Sequence, residues 1–238
     1  QRRVLHALCE PGPVPGGGVQ PAGAADAGVS PCGRGLVARR TLHGRSRPGS
    51  GLGEPRGAAF RGECTGAGAG AGAGVHALEL MDRGHKVLAI DTSEGAIKYM
   101  KSMGVNALQK NFFDLKGEKF DTLLLLMNGI GIAGQLSNLE KTLQHAKSLL
   151  NPGGKILCDS SDIRYLYEDE DGSLWIDLNS EYYGNFRFQM QYKSEKSDWF
   201  DWLYVDFDNL FQEAKKAGFK ASKVYEMDDH YLAELILM

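Results

Sequence analysis

The chain has 238 residues, 42% of them hydrophobic and 24% charged, with 27 Lys and Arg against 30 Asp and Glu for a net charge of −3. That total hides a division: residues 1–74 carry nine Arg, no Lys and four acids, while residues 75–238 carry eighteen basic and twenty-six acidic side chains, an acidic balance that argues against nucleic acid as a partner. No apolar stretch is long enough to span a membrane, and the four Cys (Cys9, Cys32, Cys64, Cys158) lack metal-ligand spacing, so neither membrane nor metal is expected.

Residues 1–74 also hold seven of the eight Pro and nineteen of the thirty-one Gly, and they lack Ile, Tyr, Trp and Asn. So few large apolar residues cannot offset the entropy of ordering the backbone, and residues 1–64 are predicted to be disordered. As a targeting peptide the segment is suitably Arg-rich and acid-poor, but it has no starting Met, no apolar core and too many Pro and Gly for an amphipathic helix. A flexible linker or interaction tail is a second reading. The third is a GC-rich frame translated out of register, and no function is read from it. Residues 65–238 suit one domain of ordinary size.

That domain opens on Gly66 to Gly74, GAGAGAGAG, followed by an amphipathic stretch from Val75 to Arg83 and then Val87-Leu88-Ala89-Ile90-Asp91. Glycines that turn tightly, a helix behind them and an acid about 20 residues further on suit an adenosine cofactor. Ala77, Leu78 and Met81 share a helical face, and Gly84 supplies the stop. Val87 to Ile90 has the continuous apolar character of a strand buried on both faces. Ser93 can cap a helix with Ile97 and Met100 inward, ended by Gly104, and Ala107-Leu108 suggests the next strand. Phe120 to Met127 is the central strand. Ser137 and Glu140 form a capping box for a helix with Leu139, Leu143, Ala146 and Leu150 in one stripe. Asn151-Pro152-Gly153-Gly154 then turns into a strand at Lys155 to Asp159, where Cys158 reads as a buried thiol in a reducing cytoplasm.

An aromatic-rich insertion spans about 160–206. Phe186, Phe188, Met190 and Tyr192 alternate with polar residues as in a half-buried antiparallel strand, and Trp199 to Val205 can partner it. Glu168 to Gly172 reads as a solvated turn. Leu210, Phe211, Ala214 and Ala217 form a last helix face, closed by Gly218. The two final apolar runs, at Val224 and at Leu232 to Leu237, are joined by a connection too short for a crossover and must pair antiparallel. The expected fold is α/β: a doubly wound, mostly parallel seven-stranded sheet with helices on both faces, a terminal antiparallel pair and an inserted hairpin.

Over residues 66–238 the chain resembles the class I S-adenosylmethionine-dependent methyltransferases. The resemblance rests on the order and spacing of the glycine run, Asp91-Thr92-Ser93, Asn111-Phe112-Phe113-Asp114-Leu115, Phe120-Asp121, Leu149 to Gly154 and the closing strand pair. It implies S-adenosylmethionine as cofactor. Gly70, Gly72 and Gly74 match the glycine loop, with His76 just beyond it, and Asp91, followed by Thr92, matches the acid that accepts the ribose hydroxyls. Asn111 stands where an Asp usually meets the adenine amino group, with Phe112 beside the ring, and Asn128 and Gly129 follow the fourth strand where the methyl group should point. One departure concerns Gly68: the family places an acid here, at the end of an apolar first strand, so that strand reads as degraded or missing.

The implied activity is methyl transfer to a small molecule. Inserted hairpins in this family roof the substrate pocket, which makes Ser160, Ser161, Arg164, Tyr182, Tyr183 and Trp202 candidates to touch substrate; equally, the aromatics can be the hairpin's own core. No catalytic residue is identified, Asp159 and His230 being the groups to consider as a base. A nicotinamide-dependent oxidoreductase is the alternative enzyme, since Gly68-x-Gly70-x-x-Ala73 also fits a dinucleotide fingerprint, and a non-catalytic fold that has lost its cofactor is another.

Overall fold

The computed structural model describes residues 6–11, 65–169, 173, 181–192 and 194–238. In chain order the elements are β1 (His6–Pro11), β2 (Thr65–Ala69), α1 (Val75–Asp82), β3 (Lys86–Asp91), α2 (Glu94–Ser102), β4 (Ala107–Gln109), β5 (Phe120–Leu125), α3 (Leu139–Ser148) and β6 (Leu150–Ser161). There follow β7 (Asn185–Tyr192), β8 (Glu195–Lys196), β9 (Phe200–Leu203), α4 (Phe207–Ala217), β10 (Phe219–Met227) and β11 (His230–Leu237). A seven-stranded sheet runs β10-β11-β6-β5-β2-β3-β4, with β2 to β6 mutually parallel and β11 antiparallel to both its neighbours. The inserted hairpin is β7 paired antiparallel with β9. Within the segment predicted to be disordered, β1 pairs antiparallel with β7; residues 12–64 lie outside the described residues.

The first strand is formed, and of the two expectations the degraded strand is the one found. Thr65–Ala69 occupies the middle of the sheet between β3 and β5, built only from Thr, Gly and Ala. Backbone pairing holds it there, because short side chains leave little to pack. On one side an open cavity of about 430 Å³ is lined by Gly66, Leu88, Asn106, Leu108 and Phe120, among others. A Cβ on Gly66 would meet only the Thr122 carbonyl, at 3.7 Å. Gly66→Val is therefore expected to stabilise the fold by about 1 kcal/mol, through higher strand propensity and better filling of this cavity. A rise of about 3 °C in melting temperature is the check, and an unchanged or lower value would show that this strand is not limited by packing.

The principal core lies between the sheet and α3 and α4, where Leu123, Leu125, Leu139, Leu143, Ile156, Leu210 and Phe219 are buried together. A smaller core under α1 and α2 joins Ala77, Val87, Ala89, Ile97 and Met100. Ser93 caps α2 as expected, its Oγ accepting from the Ala96 N–H at 3.3 Å. The expected capping box is not made: α3 starts at Leu139 with Asn138 as its cap, because Leu136–Asn138 is a separate 3-10 turn. Phe211 departs from its expected inward position and is 40% exposed, whereas Leu210, Ala214 and Ala217 are buried. Met127, expected within the central strand, lies in the loop beyond β5 and is exposed.

Candidate active site

The parallel strands end together, and their carboxyl edge collects most of the residues singled out by sequence. After β2 the chain turns through Gly70, Gly72 and Gly74, with φ of 65°, 54° and 77°, a region that disfavours side chains. The turn is held by Ala71 N–H to Ile90 O at 3.1 Å and Gly74 N–H to Ala71 O at 2.9 Å. At Gly74 a Cβ would lie 2.8 Å from Met100 Cγ, so α2 packs directly on the loop. At Gly70 and Gly72 it would meet nothing within 4 Å, so the space beside the loop at these two residues is open.

Asp91, at the end of β3, faces this loop. Its Oδ2 accepts from Gly72 N–H at 2.9 Å and its Oδ1 from Ser93 N–H at 2.8 Å, which fixes the carboxylate while leaving lone pairs on both oxygens. Thr92 is exposed, and its carbonyl accepts from the Gln109 amide at 3.1 Å. His76 is exposed on the first turn of α1.

After β4, Asn111 caps a 3-10 turn over Phe112–Asp114, its Oδ1 accepting from Phe113 N–H at 3.0 Å. The expectation for Phe112 is corrected: only 3% exposed, it turns into the core edge-on to His145 at 5.0 Å, and His145 Nε2 bonds the Phe112 carbonyl at 2.9 Å. Phe113, 40% exposed, is the ring the turn presents.

The loop after β5 is the strained part of the edge. Met127 and Asn128 are consecutive non-glycine residues with φ of 65° and 57°, a conformation that costs on the order of 1 kcal/mol or more per residue. This turn directs the amides of Met127, Asn128 and Gly129 at the Asp159 carboxylate, with Asn128 N–H to Oδ1 at 2.9 Å. Burial pushes the Asp159 carboxyl up, against the opposing pull of His230 and those amides. Asn128 Oδ1 is a buried acceptor without a hydrogen-bond partner.

Beyond β5, strand parity sorts the candidates onto two faces. Asp159 and Ser161 alternate with Ser160 along β6, and His230 stands opposite Ser161 in the β6–β11 register. On one face His230 Nε2 lies 3.2 Å from Asp159 Oδ2, and its Nδ1 lies 3.0 Å from Ser161 Oγ. On the other face Ser160 is fully buried with its Oγ accepting from Val205 N–H at 3.0 Å, which corrects its placement as a substrate contact.

Tyr182 donates to Asp206 Oδ2 at 2.6 Å and accepts from Asp206 N–H at 2.9 Å. Tyr183 donates to Asp162 Oδ1 at 2.8 Å, and Arg164, paired with Asp162 at 3.2 Å, lies 5.9 Å from the Tyr183 ring. Burial first, and then the hydrogen bond to Asp162, push the Tyr183 phenol up to about 12. Trp202, on β9, covers Gly131, where a Cβ would also come within 2.7 Å of the Leu203 carbonyl, so the hairpin is fitted closely over the turn after β5. Sequence reasoning missed Asp162 and Asp206. An Asp three residues before Asn209 at a helix start was a legible capping signal, whereas its link to Tyr182 spans 24 residues.

The sheet order, the glycine turn and the acid at the end of β3 define a Rossmann-like methyltransferase. Residues 67–225 match the family model described as a methyltransferase domain, and the chain belongs to that family of S-adenosylmethionine-dependent enzymes. It is 46% identical to an S-adenosylmethionine-dependent methyltransferase from Bacteroides fragilis in complex with S-adenosyl-L-homocysteine, covering 75% of this chain and 74% of that one with a TM-score of 0.68. More distantly, the CcbJ methyltransferase of Streptomyces caelestis is 14% identical over 74% of this chain and 84% of that one, with a TM-score of 0.58. The PH0226 protein of Pyrococcus horikoshii is 18% identical over 75% and 84%, with a TM-score of 0.56. A comparison with curated protein sequences returns no match. S-adenosylmethionine is the cofactor of this class, and the chain fits it: the loop is open where a side chain would obstruct, Asp91 keeps free lone pairs, and Asn128 offers an unpaired buried acceptor.

Proposed function

We propose that the enzyme methylates a small molecule in the cytoplasm, with the cofactor lying along the carboxyl edge from Gly70 to Asn128. Gly70, Gly72 and Gly74 face its amino acid moiety, Asp91 its ribose, Asn111 its adenine, and Asn128 and Gly129 the reacting end. The observation that carries this reading is the coupling of the open glycine turn to Asp91 through the 2.9 Å Gly72 bond, which presents backbone and carboxylate as one surface. When bound, the sulfonium supplies an already activated methyl group. The chain itself must orient the acceptor and exclude water. Trp202 packed over the turn after β5 supports a hairpin that covers this edge, as a small-molecule site needs, and the acidic domain disfavours nucleic acid. Ser161, Arg164, Tyr183 and Trp202 remain the candidates to touch the acceptor; the Tyr182 hydroxyl is occupied with Asp206. The buried Cys158 thiol, pushed up by burial and by Asp159 beside it, suits a reducing compartment.

Calorimetric titration with S-adenosylhomocysteine, with NAD in a parallel run, tests the reading. Micromolar binding of the former alone is the expected result. Binding of NAD alone would favour the oxidoreductase, and binding of neither by a folded chain would mean a fold that has lost its cofactor.

A further inference from the structure

Resting on that reading, the carboxyl edge carries one more arrangement, built on Ser161, His230 and Asp159. Ser161, His230 and Asp159 form a continuous hydrogen-bonded line on one face of the sheet, Ser161 Oγ to His230 Nδ1 at 3.0 Å and His230 Nε2 to Asp159 Oδ2 at 3.2 Å. Each member is held from a different direction. Asp159 is anchored by amides of the loop after β5, the loop assigned to the reacting end. His230 is fixed by its pairing with Ser161 across two strands 69 residues apart in sequence. The His230 side chain is 27% exposed and that of Asp159 12%, so the imidazole can be reached from outside while its carboxylate is sheltered.

We propose that His230 accepts the proton of the methyl acceptor, relayed by the Ser161 hydroxyl and positioned by Asp159, so that the substrate is methylated at a hydroxyl or amine that must lose a proton. In the resting chain Nε2–H donates to Asp159, and the Nδ1 lone pair accepts from Ser161 O–H. As the acceptor's oxygen or nitrogen bonds to the methyl carbon, the carbon–sulfur bond breaks and its electron pair stays on sulfur. The acceptor's proton passes to Ser161 Oγ as the proton of that hydroxyl moves to Nδ1. The imidazolium keeps Nε2–H on Asp159 and afterwards loses a proton to water, so charge and protons balance. His230 and Ser161 are the catalytic pair, and Asp159 is a positioning residue.

The charged surroundings suit a transient cation at this ring. Asp159 faces it from β6, and Asp228 and Asp229 precede it in the turn. Asp162 follows Ser161, its backbone N–H bonding the Asp229 carbonyl at 2.8 Å. Tyr165 and Glu168 lie near Asp229, whose carboxyl is pushed up by burial and by Asp162, Asp228 and Glu168. Arg164, the nearby cation, is paired with Asp162.

Nitrogen-15 NMR of the histidine rings in the purified chain, with the His230 signal assigned by its loss in His230→Gln, reads the tautomer directly. The neutral ring is expected to carry its proton on Nε2, and in Asp159→Asn, whose amide can donate, the proton is expected on Nδ1. A wild-type ring protonated on Nδ1 would overturn the proposal. The second arm incubates labelled S-adenosylmethionine with a panel of amines, phenols and alcohols. With the acceptor that takes label, His230→Gln is expected to lower kcat about a hundredfold with S-adenosylhomocysteine affinity intact and the acidic limb of the kcat profile lost; Ser161→Ala is expected to lower it about tenfold. Wild-type kcat in His230→Gln, or a parallel loss of S-adenosylhomocysteine affinity, would make the line a structural brace. If the wild-type chain bound no S-adenosylhomocysteine, the functional reading would fall separately, with the tautomer result standing on its own.

Discussion

Replacing Asp91 by Ala is expected to weaken S-adenosylhomocysteine binding about a hundredfold, and Asp91→Asn about tenfold. Each carboxylate oxygen already accepts one backbone N–H, from Ser93 and from Gly72, so the group is aimed before any ligand arrives. A charge-assisted hydrogen bond to a neutral donor is worth about 1.5–3 kcal/mol, and two to vicinal hydroxyls would account for the larger loss. Asn keeps the shape and one acceptor but not the charge, hence the smaller effect. The Ala variant also releases Gly72 N–H, so part of its deficit is a less ordered loop. Calorimetry of both variants, with circular dichroism to show that they fold, is the measurement, and unchanged affinity in Asp91→Ala would remove this residue from the site.

The elements that were legible are those whose signal is local. Phe120 to Met127 read as a central strand because of its run of large apolar residues, and the strand found is Phe120–Leu125; Asp91 read correctly as a strand-end acid because the apolar run stops there. The closing pair was forced by a connection too short to cross over. What failed depended on distant partners. Which of Phe112 and Phe113 turns inward depends on the core that Phe112 enters and on partners such as His145 on α3, 33 residues later, which bonds its carbonyl. Strand alternation put Ser160 and Ser161 on opposite faces, but their order followed from where α4 and β11 pack. Asp159 and His230 were each to be considered as a base, but their link through Ser161 was not legible for the same reason, since nothing near His230 in sequence announces that it will stand opposite Ser161.

The first strand carries a different lesson. A run of Thr, Gly and Ala has no propensity to be central, yet Thr65–Ala69 is central because β3 and β5 leave a slot whose backbone groups need partners. The family's acid is absent at Gly68, where a Cβ would meet nothing within 4 Å, so the site has room for the side chain that this chain lacks. The proposed site thus has one acid where the resemblance implies two, and that raises the expected cost of losing Asp91.

Asp206→Ala is expected to destabilise the domain by about 3–4 kcal/mol, seen as a fall of about 10 °C in melting temperature. Asp206 is 6% exposed; its carboxylate accepts from the Tyr182 hydroxyl at 2.6 Å, shares the Tyr183 hydroxyl proton with Asp162 at 3.2 Å, and accepts from Asn209 N–H at 2.9 Å and from the Asn209 amide at 2.7 Å. It is at once the cap of α4 and the acceptor for two phenols from the segment leading into the hairpin, so its removal leaves buried donors unpaired on both sides. Burial would raise its carboxyl, but the bonds from Tyr182, Asn209 and Tyr183 outweigh that and hold it below the ordinary range. A carboxyl lowered in the folded state contributes stability that is full above its ordinary range and is lost as pH falls through it towards the depressed value. Wild-type melting temperature should therefore drop on acidification through the carboxylate range, and Asp206→Asn, which preserves one acceptor, should show a flatter acid limb from a lower neutral starting point. An acid limb of undiminished slope in that variant would assign the acid sensitivity to other carboxyls and would mean that the tyrosine pair is anchored by packing rather than by charge.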